Sequence, residues 1–467
     1  MKKLLSAVSI VLALSACETI KSSSATASSP VNTIAELQTP KNIIMVIADG
    51  MGPAYTSSYR YFNDDPLTEH VEETVFDRLL VGSASTYPAR ISGVVTDSAA
   101  GATALATGFK TYNGAIGLDV NKKSVETVLE FAKKQGKKTG VVVTSQINHA
   151  TPASYLAHNE SRENYNAIAD SYLDDGIKAD VYLGGGWKYF LRDDRNLIDE
   201  FKASGFQYID NYNALSDLKE KTPVIGLFAD KGLPSALDDS NSHRLSTMTK
   251  VAIQQLENKN GYFLMVEASQ IDWAGHANDI ATAMAEMSDL AKTMIYLEDY
   301  VKQNPDTLVI LTADHSTGGL TVGANGKYEW NPEILRTMES SPVAIAKKIS
   351  EKTITQNLLT ELLKFKVTEK EVKKIQLAKN TAIDKLSTYK QLDKKAKSNT
   401  KKPMMSQIIS GSIKKIIDVR TNTGWTSGGH TGIDVPVHTL GKSSKKIKGK
   451  IDNTDIAKQI FLLLGKS

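Results

Sequence analysis

Residues 42–48 read Asn-Ile-Ile-Met-Val-Ile-Ala, and they run straight into Asp49-Gly50-Met51-Gly52. An apolar run this short, closed by a glycine turn, suits a strand buried on both faces. Three further runs have the same character: 139–144 (TGVVVT), 262–267 (YFLMVE) and 307–313 (TLVILTA). Helical patterns lie between them. One covers 125–135 and stops at Gly136; another covers 279–303 with apolar residues at helical spacing. This alternation predicts an α/β fold, a three-layer sandwich whose mainly parallel central sheet is covered by helices on both faces. No internal repeat is present. Three of the four strands end in chemistry-bearing residues: Asp49, Glu267 and Asp314-His315. Ligands of open α/β sheets bind beyond the carboxyl ends of strands. Carboxylates gathered there are costly unless paired or bound to metal.

The whole chain has 467 residues, 41% apolar and 23% charged. That composition excludes a wholly disordered or fibrous protein. The net charge is +4, and only 9 of the 56 basic residues are Arg, so nucleic acid is not the expected partner. The single cysteine, Cys17, excludes an intramolecular disulfide and a cysteine-based zinc site.

The N-terminus accounts for that cysteine. Met1-Lys2-Lys3 precedes an apolar run at 4–14, too short for a permanent membrane span, and then Leu14-Ser15-Ala16-Cys17. This layout resembles a bacterial lipobox. Residues 1–16 read as a lipoprotein signal peptide, and 17–40 as a lipidated N-terminus with a flexible, Ser/Thr/Ala-rich tether. The expectation is an exported protein, lipid-anchored through Cys17 to a bacterial membrane and facing the periplasm or the cell exterior. Residues 41–467 read as one domain, with a Lys-rich helical insertion at about 330–420. Within it, 347–402 holds 16 Lys, 6 acidic residues and no Arg, a net +10. Thr368-Glu369-Lys370-Glu371 is a capping box that starts a helix there. The plain reading is a solvated helical insertion; the sharper one is a surface that attracts anionic substrates, lipids or polysaccharide.

Four clusters carry the chemistry. Asp49-Gly50-Met51-Gly52 suits a metal ligand with backbone close by, although Asp-Gly is common in turns. Thr96-Asp97-Ser98-Ala99-Ala100 enters a helix beginning near Ser98, and a helix N-terminus favours phosphate. Taken alone, Ser98 reads as an N-cap; with a lowered pKa it is a nucleophile. In the third cluster, Glu267 precedes Asp272-Trp273-Ala-Gly-His276. On a helix, Asp272 and His276 share one face at i and i+4, and both can bind one metal. The fourth is Asp314-His315, with Gly428-Gly429-His430-Thr431-Gly432 far downstream. Three of the eight histidines thus sit beside acids or glycines, and with the strand-end acids they point to a multi-metal site. Nitrogen and carboxylate donors suit zinc; carboxylate and hydroxyl donors suit magnesium. His70, His158, His243 and His438 have no such setting and read as structural or surface residues.

Together these motifs resemble the alkaline phosphatase family. The strand-end Asp, the Asp-Ser-Ala, the His-Ala-Thr-Pro at 149–152, the Glu…Asp-x-x-x-His, the Ala-Asp-His and the His-Thr-Gly occur in the family's order. The likeness runs from about residue 41 to about 440 and is weakest across the Lys-rich segment. It implies an enzyme, usually a homodimer, that hydrolyses phosphate monoesters through a phosphoserine at Ser98. It implies two Zn2+ and one Mg2+. Asp272, His276 and His430 would hold the first zinc. Asp49, Asp314 and His315 would hold the second, with Ser98 joining when deprotonated. Asp49, Thr151 and Glu267 would hold the magnesium. Arg162, thirteen residues after His149, would grip two phosphate oxygens.

Two positions depart from the enterobacterial pattern. His149 stands where those enzymes have Asp, and Trp273 where they have Lys; marine and cold-adapted members share both. The change puts magnesium affinity and the grip on phosphate in doubt. Low proline, 13 residues, and low arginine fit a cold-adapted enzyme and equally an AT-rich genome. Related classes stay open. A sulfatase needs a Cys/Ser-x-Pro-x-Arg motif, which is absent. A phosphodiesterase would use a similar two-metal core, and a catalytically silent anchored protein would use the Lys-rich surface alone.

Overall fold

The structure, a computed structural model, describes residues 39–466. The signal peptide, Cys17 and the tether up to residue 38 lie outside these residues. Fourteen strands are present among the described residues: β1 (Asn42–Ile47), β2 (Leu80–Ser85), β3 (Lys138–Gln146), β4 (Val181–Gly185), β5 (Gln207–Ile209), β6 (Val224–Leu227), β7 (Tyr262–Glu267), β8 (Thr307–Thr312), β9 (Ser316–Thr317), β10 (Leu320–Val322), β11 (Thr423–Trp425), β12 (His430–Thr431), β13 (Val435–Gly441) and β14 (Gly449–Asp452). Ten of them form one sheet in the order β14-β2-β13-β8-β1-β7-β3-β4-β6-β5. Every pairing is parallel except those of β13, which runs antiparallel to β2 and β8.

The four runs read from the sequence are the contiguous centre, β8-β1-β7-β3. All residues of β1, β7 and β8 are buried. Successive side chains of a strand point to opposite faces, so both faces of the sheet are covered. The outer strands escaped the reading because they are short or glycine-containing: Val181–Gly185 ends in Gly-Gly, and Gln207–Ile209 has three residues.

Register aligns the strand ends. Ile47 pairs with Glu267 on one side and Thr312 on the other, and Glu267 pairs in turn with Val143. Asp49 and Asp314 therefore emerge side by side, two residues past their paired neighbours, next to Glu267. Gly50 (φ +78°) turns the chain there; a Cβ on it would lie 2.7 Å from the Asp272 backbone. Only glycine permits that approach and that backbone angle.

The helices follow the sequence signals with small shifts. The 125–135 pattern is the helix Val128–Lys134, opened by a Thr127/Glu130 capping box. The 279–303 pattern is Ile280–Gln303, N-capped by Asp279. Ser98 is not an N-cap. Asp97 caps the helix Ser98–Thr107, its Oδ1 accepting from the Ala100 N–H at 3.0 Å. Ser98 is thereby the first helical residue. Thr368 and Glu371 form the expected capping box of the helix Glu369–Gln391. That helix packs on Met405–Thr421, whose Ile409, Ile413, Ile416 and Ile417 are buried. The Lys-rich region is thus rooted in the core. No described helix is long and apolar enough to cross a membrane.

Candidate active site

Ser98 sits at the start of a helix that is buried along its whole length. Its Oγ lies 3.2 Å from His315 Nε2. His315 Nε2 is also 3.3 Å from Asp314 Oδ2 and 3.5 Å from Asp49 Oδ1. The register that aligns β1 and β8 thus brings a hydroxyl, an imidazole and two carboxylates to one point.

Thr317 fixes the tautomer of His315. Its Oγ1–H donates to Asp272 Oδ1 at 2.5 Å, so the same oxygen accepts from His315 Nδ1 at 3.2 Å. With the proton on Nδ1, the Nε2 lone pair faces Ser98 and the acids. His276 and His430 are held likewise. His276 Nδ1 donates to the Gly428 carbonyl at 2.7 Å, and His430 Nδ1 to the Thr96 carbonyl at 2.8 Å. Their Nε2 atoms then face each other at 3.1 Å, lone pair to lone pair. Asp272 Oδ2 lies 3.4 Å from His276 Nε2, and Asp272 Oδ1 lies 3.5 Å from His430 Nε2. The helix Gln270–His276 presents Asp272 and His276 together, as their i, i+4 spacing required.

Three groups of side chains have donor atoms within 4.8 Å of one another: Asp272, His276 and His430; Asp49, Asp272 and His315; and Asp49, His149 and Glu267. The second group brings in Asp272 in place of Asp314, which instead contacts His315 directly. The third includes His149, read from the sequence as a modulator. Thr151 is on the helix Ala150–Leu156 with its Oγ1 buried.

The electrostatics are those of a cation site. Burial first, then the charges of Asp314, Asp272 and Glu267, pushes the Asp49 carboxyl well above the usual range, against the opposing pull of Arg162. Asp314 is raised by burial and by Asp272. Glu267 is pushed up to about 7 by burial, opposed by the Ser269 and Ser145 hydroxyls. Both Asp49 oxygens, Glu267 Oε1, Asp314 Oδ2 and Thr151 Oγ1 are buried with no hydrogen-bond partner among the described residues. Burial and the neighbouring His430 hold His315 well below the usual imidazole range, that is, neutral and able to ligate. Orphaned carboxylate oxygens and converging imidazole lone pairs fit divalent cations, which would offset the repulsion.

Arg162 closes the site on another side. Its Nη1 donates to Asp97 Oδ2 at 3.0 Å, and the Gly114 N–H donates to the same oxygen. Burial works against the Arg162 charge, and Asp97 more than offsets it. Arg162 Nη2 donates to His149 Nε2 at 3.4 Å. Burial, with the Arg162 charge, lowers the His149 pKa to about 3, so this imidazole is neutral. The His149 ring meets Trp273 edge-on, with centroids 6.0 Å apart. Trp273 rests against Gly232, where any Cβ would fall 2.3 Å from the indole.

All twelve residues singled out in the sequence thus lie at or beside the strand ends. Thr317, Asp97 and Gly232 belong to the same construction without having been given a role. Thr317 had a weak signal, a hydroxyl two residues after His315. Gly232 had none, because its contact is with Trp273 on the helix Gln270–His276, a separate element of the chain.

The family model described as alkaline phosphatase matches residues 40–465. Alkaline phosphatase 3 of Bacillus subtilis is 46% identical over 430 residues, covering 91% of this chain and 89% of its own. The crystal structure of a cold-active alkaline phosphatase from a psychrophilic Shewanella sp. is 47% identical, with a TM-score of 0.83, covering 91% of this chain and 100% of that one. A variant of TAB5 alkaline phosphatase, solved with magnesium in its M3 site, is 26% identical with a TM-score of 0.65, covering 92% and 99%. Carrying its candidate metal ligands at the ends of a mainly parallel sheet, the chain belongs to the alkaline phosphatase family of enzymes.

Proposed function

We propose that the enzyme hydrolyses phosphate monoesters to an alcohol and inorganic phosphate, with Ser98 as nucleophile. The observation that carries this reading is the 3.2 Å contact of Ser98 Oγ with His315 Nε2, inside a cluster of orphaned carboxylates. Asp272, His276 and His430 would hold one zinc. Asp49, Asp314 and His315 would hold a second, near Ser98. Asp49, Thr151 and Glu267, beside His149, would hold magnesium. When bound, such cations lower the pKa of hydroxyl groups and water and offset phosphate charge.

The chain's own residues do the rest. Ser98 Oγ attacks phosphorus, the ester P–O bond breaks, and the alcohol leaves with the electron pair and takes up a proton. Water then adds to the phosphoserine, the Ser98 O–P bond breaks, and Ser98 regains a proton. Arg162, braced by Asp97, donates to two phosphate oxygens through its planar fork. Phosphoryl transfer needs little more than such positioning and charge stabilisation.

Ser98→Ala tests the reading. It should remove phosphoenzyme trapped by acid quench and nearly all turnover of p-nitrophenyl phosphate, with the fold unchanged by circular dichroism. Wild-type-like turnover would overturn the assignment.

A homodimer is supported by exposed apolar residues flanking the Ser98 segment: Ile91 at 80% exposure, Val94 at 76% and Ile433 at 50%. Sedimentation velocity of wild type against Val94→Asp checks it. The Leu14-Ser15-Ala16-Cys17 sequence supports export, lipidation and phosphate scavenging outside the cytoplasm. Fatty-acid labelling lost in Cys17→Ser would establish the anchor. Low proline and arginine support cold adaptation; a thermal midpoint well above about 45–65 °C would remove that idea.

A further inference from the structure

The helix Glu369–Gln391 is the outer wall of the Lys-rich region. Its inner face buries Val372, Ile375 and Ala382 against the core. Lys370, Lys373, Lys374 and Leu377, at i, i+3, i+4 and i+7, share the opposite face, and all four are exposed. Lys385, three turns beyond Lys374, continues the stripe and is also exposed. None of these four lysines makes an ion pair among the described residues. The ion pair on this helix, Glu371 with Arg420, is turned toward Met405–Thr421 instead. The segment 347–402 carries a net +10 within a chain whose total is +4. Four of the sixteen lysines of this segment thus stand on one exposed face, together with Asp384, while the rest of the chain sums to a net −6, that is +4 less +10.

Two features distinguish the kind of anionic surface this face suits. Leu377, 66% exposed, stands in the middle of the lysine stripe, with Ile383 at 45% further along the same helix. An apolar side chain set among ammonium groups suits a lipid interface, where the leucine enters the acyl boundary and the lysines stay at headgroup level. A polysaccharide offers nothing for the leucine. The segment also holds no arginine. Discrete phosphate recognition favours arginine's bidentate fork, whereas a diffuse negative surface needs only point charges.

We propose that the Lys370–Lys385 face of this helix docks the enzyme on an anionic phospholipid surface, with Leu377 inserted among the headgroups. Each lysine near such a surface contributes about 1 kcal/mol, screened by salt. A surface contact of this kind would add to an acyl anchor and set the orientation of the enzyme on the membrane. The proposal rests on the exposed face and not on the lipidation of Cys17.

The test uses residues 18–467, so that neither the apolar run at 4–14 nor an acyl group contributes. Co-sedimentation is measured with phosphatidylglycerol/phosphatidylcholine vesicles and with pure phosphatidylcholine vesicles at low and moderate salt. The expected result is salt-sensitive binding to the anionic vesicles that falls, at low salt, roughly thousandfold when Lys370, Lys373, Lys374 and Lys385 are all replaced by Gln. Leu377→Gln should weaken vesicle binding several-fold and leave retention on heparin unchanged. Hydrolysis of p-nitrophenyl phosphate, unchanged in every variant, shows that the fold is intact. Anionic-vesicle binding that survives the fourfold substitution overturns the proposal. So does a Leu377→Gln protein that binds vesicles like its parent, since the face would then be a general polyanion surface.

Discussion

Asp239, Glu286 and Asp289 surround the fully buried Arg244, and their construction differs from that of the strand-end acids. Arg244 donates to Glu286 and to Asp289 at 2.9 Å. The backbone N–H groups of Ala236, Leu245 and Ser246 donate to the same carboxylates, and Tyr212 donates to Asp239. At the strand ends, Asp49 has no donor on either oxygen, and Glu267 and Asp314 each keep one bare oxygen. Both clusters are buried and acidic. One is closed by the protein's own donors and ties the loop before Arg244 to the helix Ile280–Gln303. The other is left open toward a cation. Bare carboxylate oxygens, more than burial or charge alone, separate this ligand site from the structural network around Arg244.

Substitution in the two clusters should have opposite consequences. Asp49→Ala should lower kcat/KM for p-nitrophenyl phosphate by about 10,000-fold, since several kcal/mol of charge stabilisation is lost. The same change should raise the melting temperature of the EDTA-treated protein at pH 8, because it removes one of several repelling carboxylates. Arg244→Met should do the reverse. It should destabilise by about 3–5 kcal/mol in urea, leaving two acids uncompensated, while the folded fraction keeps its kcat/KM. If Asp49→Ala destabilised the stripped protein as Arg244→Met does, the distinction would collapse.

The pH dependence sharpens the same contrast. Glu267 titrates near 7 in the fold and near 4.5 in the unfolded chain, so the folded state holds the extra proton between those values. Stability of the metal-stripped protein should therefore fall as pH rises from about 4.5 to about 7, by on the order of 3 kcal/mol, and level off above. Asp289, also raised to about 7, first by burial and against the pull of Arg244, adds a similar slope with or without metal. The difference between stripped and metal-loaded denaturation curves isolates the strand-end acids. Equal slopes in the two forms would show that cations do not bind there.

Thr317 joins two of the candidate metal groups through a single hydroxyl. Thr317→Val should weaken zinc retention against a competing chelator about 10–100-fold, with Thr317→Ser restoring it. Retention equal to wild type in the valine variant would mean that packing alone orients His315. The smallest effect is expected at Trp273. A lysine there adds a charge beside the phosphate site, so Trp273→Lys should tighten inhibition by inorganic phosphate a few-fold. Unchanged or weaker inhibition would refute that role.

Much of this was legible along the chain. The centre of the sheet could be read because its strands are buried on both faces, which forces continuous apolar runs such as 42–48 and 262–267. Asp272 and His276 were legible as a pair because helical periodicity alone puts them on one face. The strand Leu80–Ser85 left little trace, since its residues are mostly half-buried or exposed and its pairing with Gly449–Asp452 joins segments more than 360 residues apart. Thr317 left only a weak trace, a hydroxyl two residues after His315, and Gly232 left none. Thr317 reaches Asp272 and Gly232 reaches Trp273 across long stretches of sequence, and local pattern carries no information about such contacts.

Residue type and local spacing therefore settled which side chains can ligate, attack or grip phosphate, because those properties belong to the residues themselves. The partition of ligands followed from the fold. Asp272 lies within reach of both His276 and His315, and His149 joins Asp49 and Glu267 rather than standing apart. Strand register and the tautomers imposed by Thr96, Thr317 and Gly428 decide those distances, and both arise from long-range hydrogen bonds that exist only once the sheet has closed.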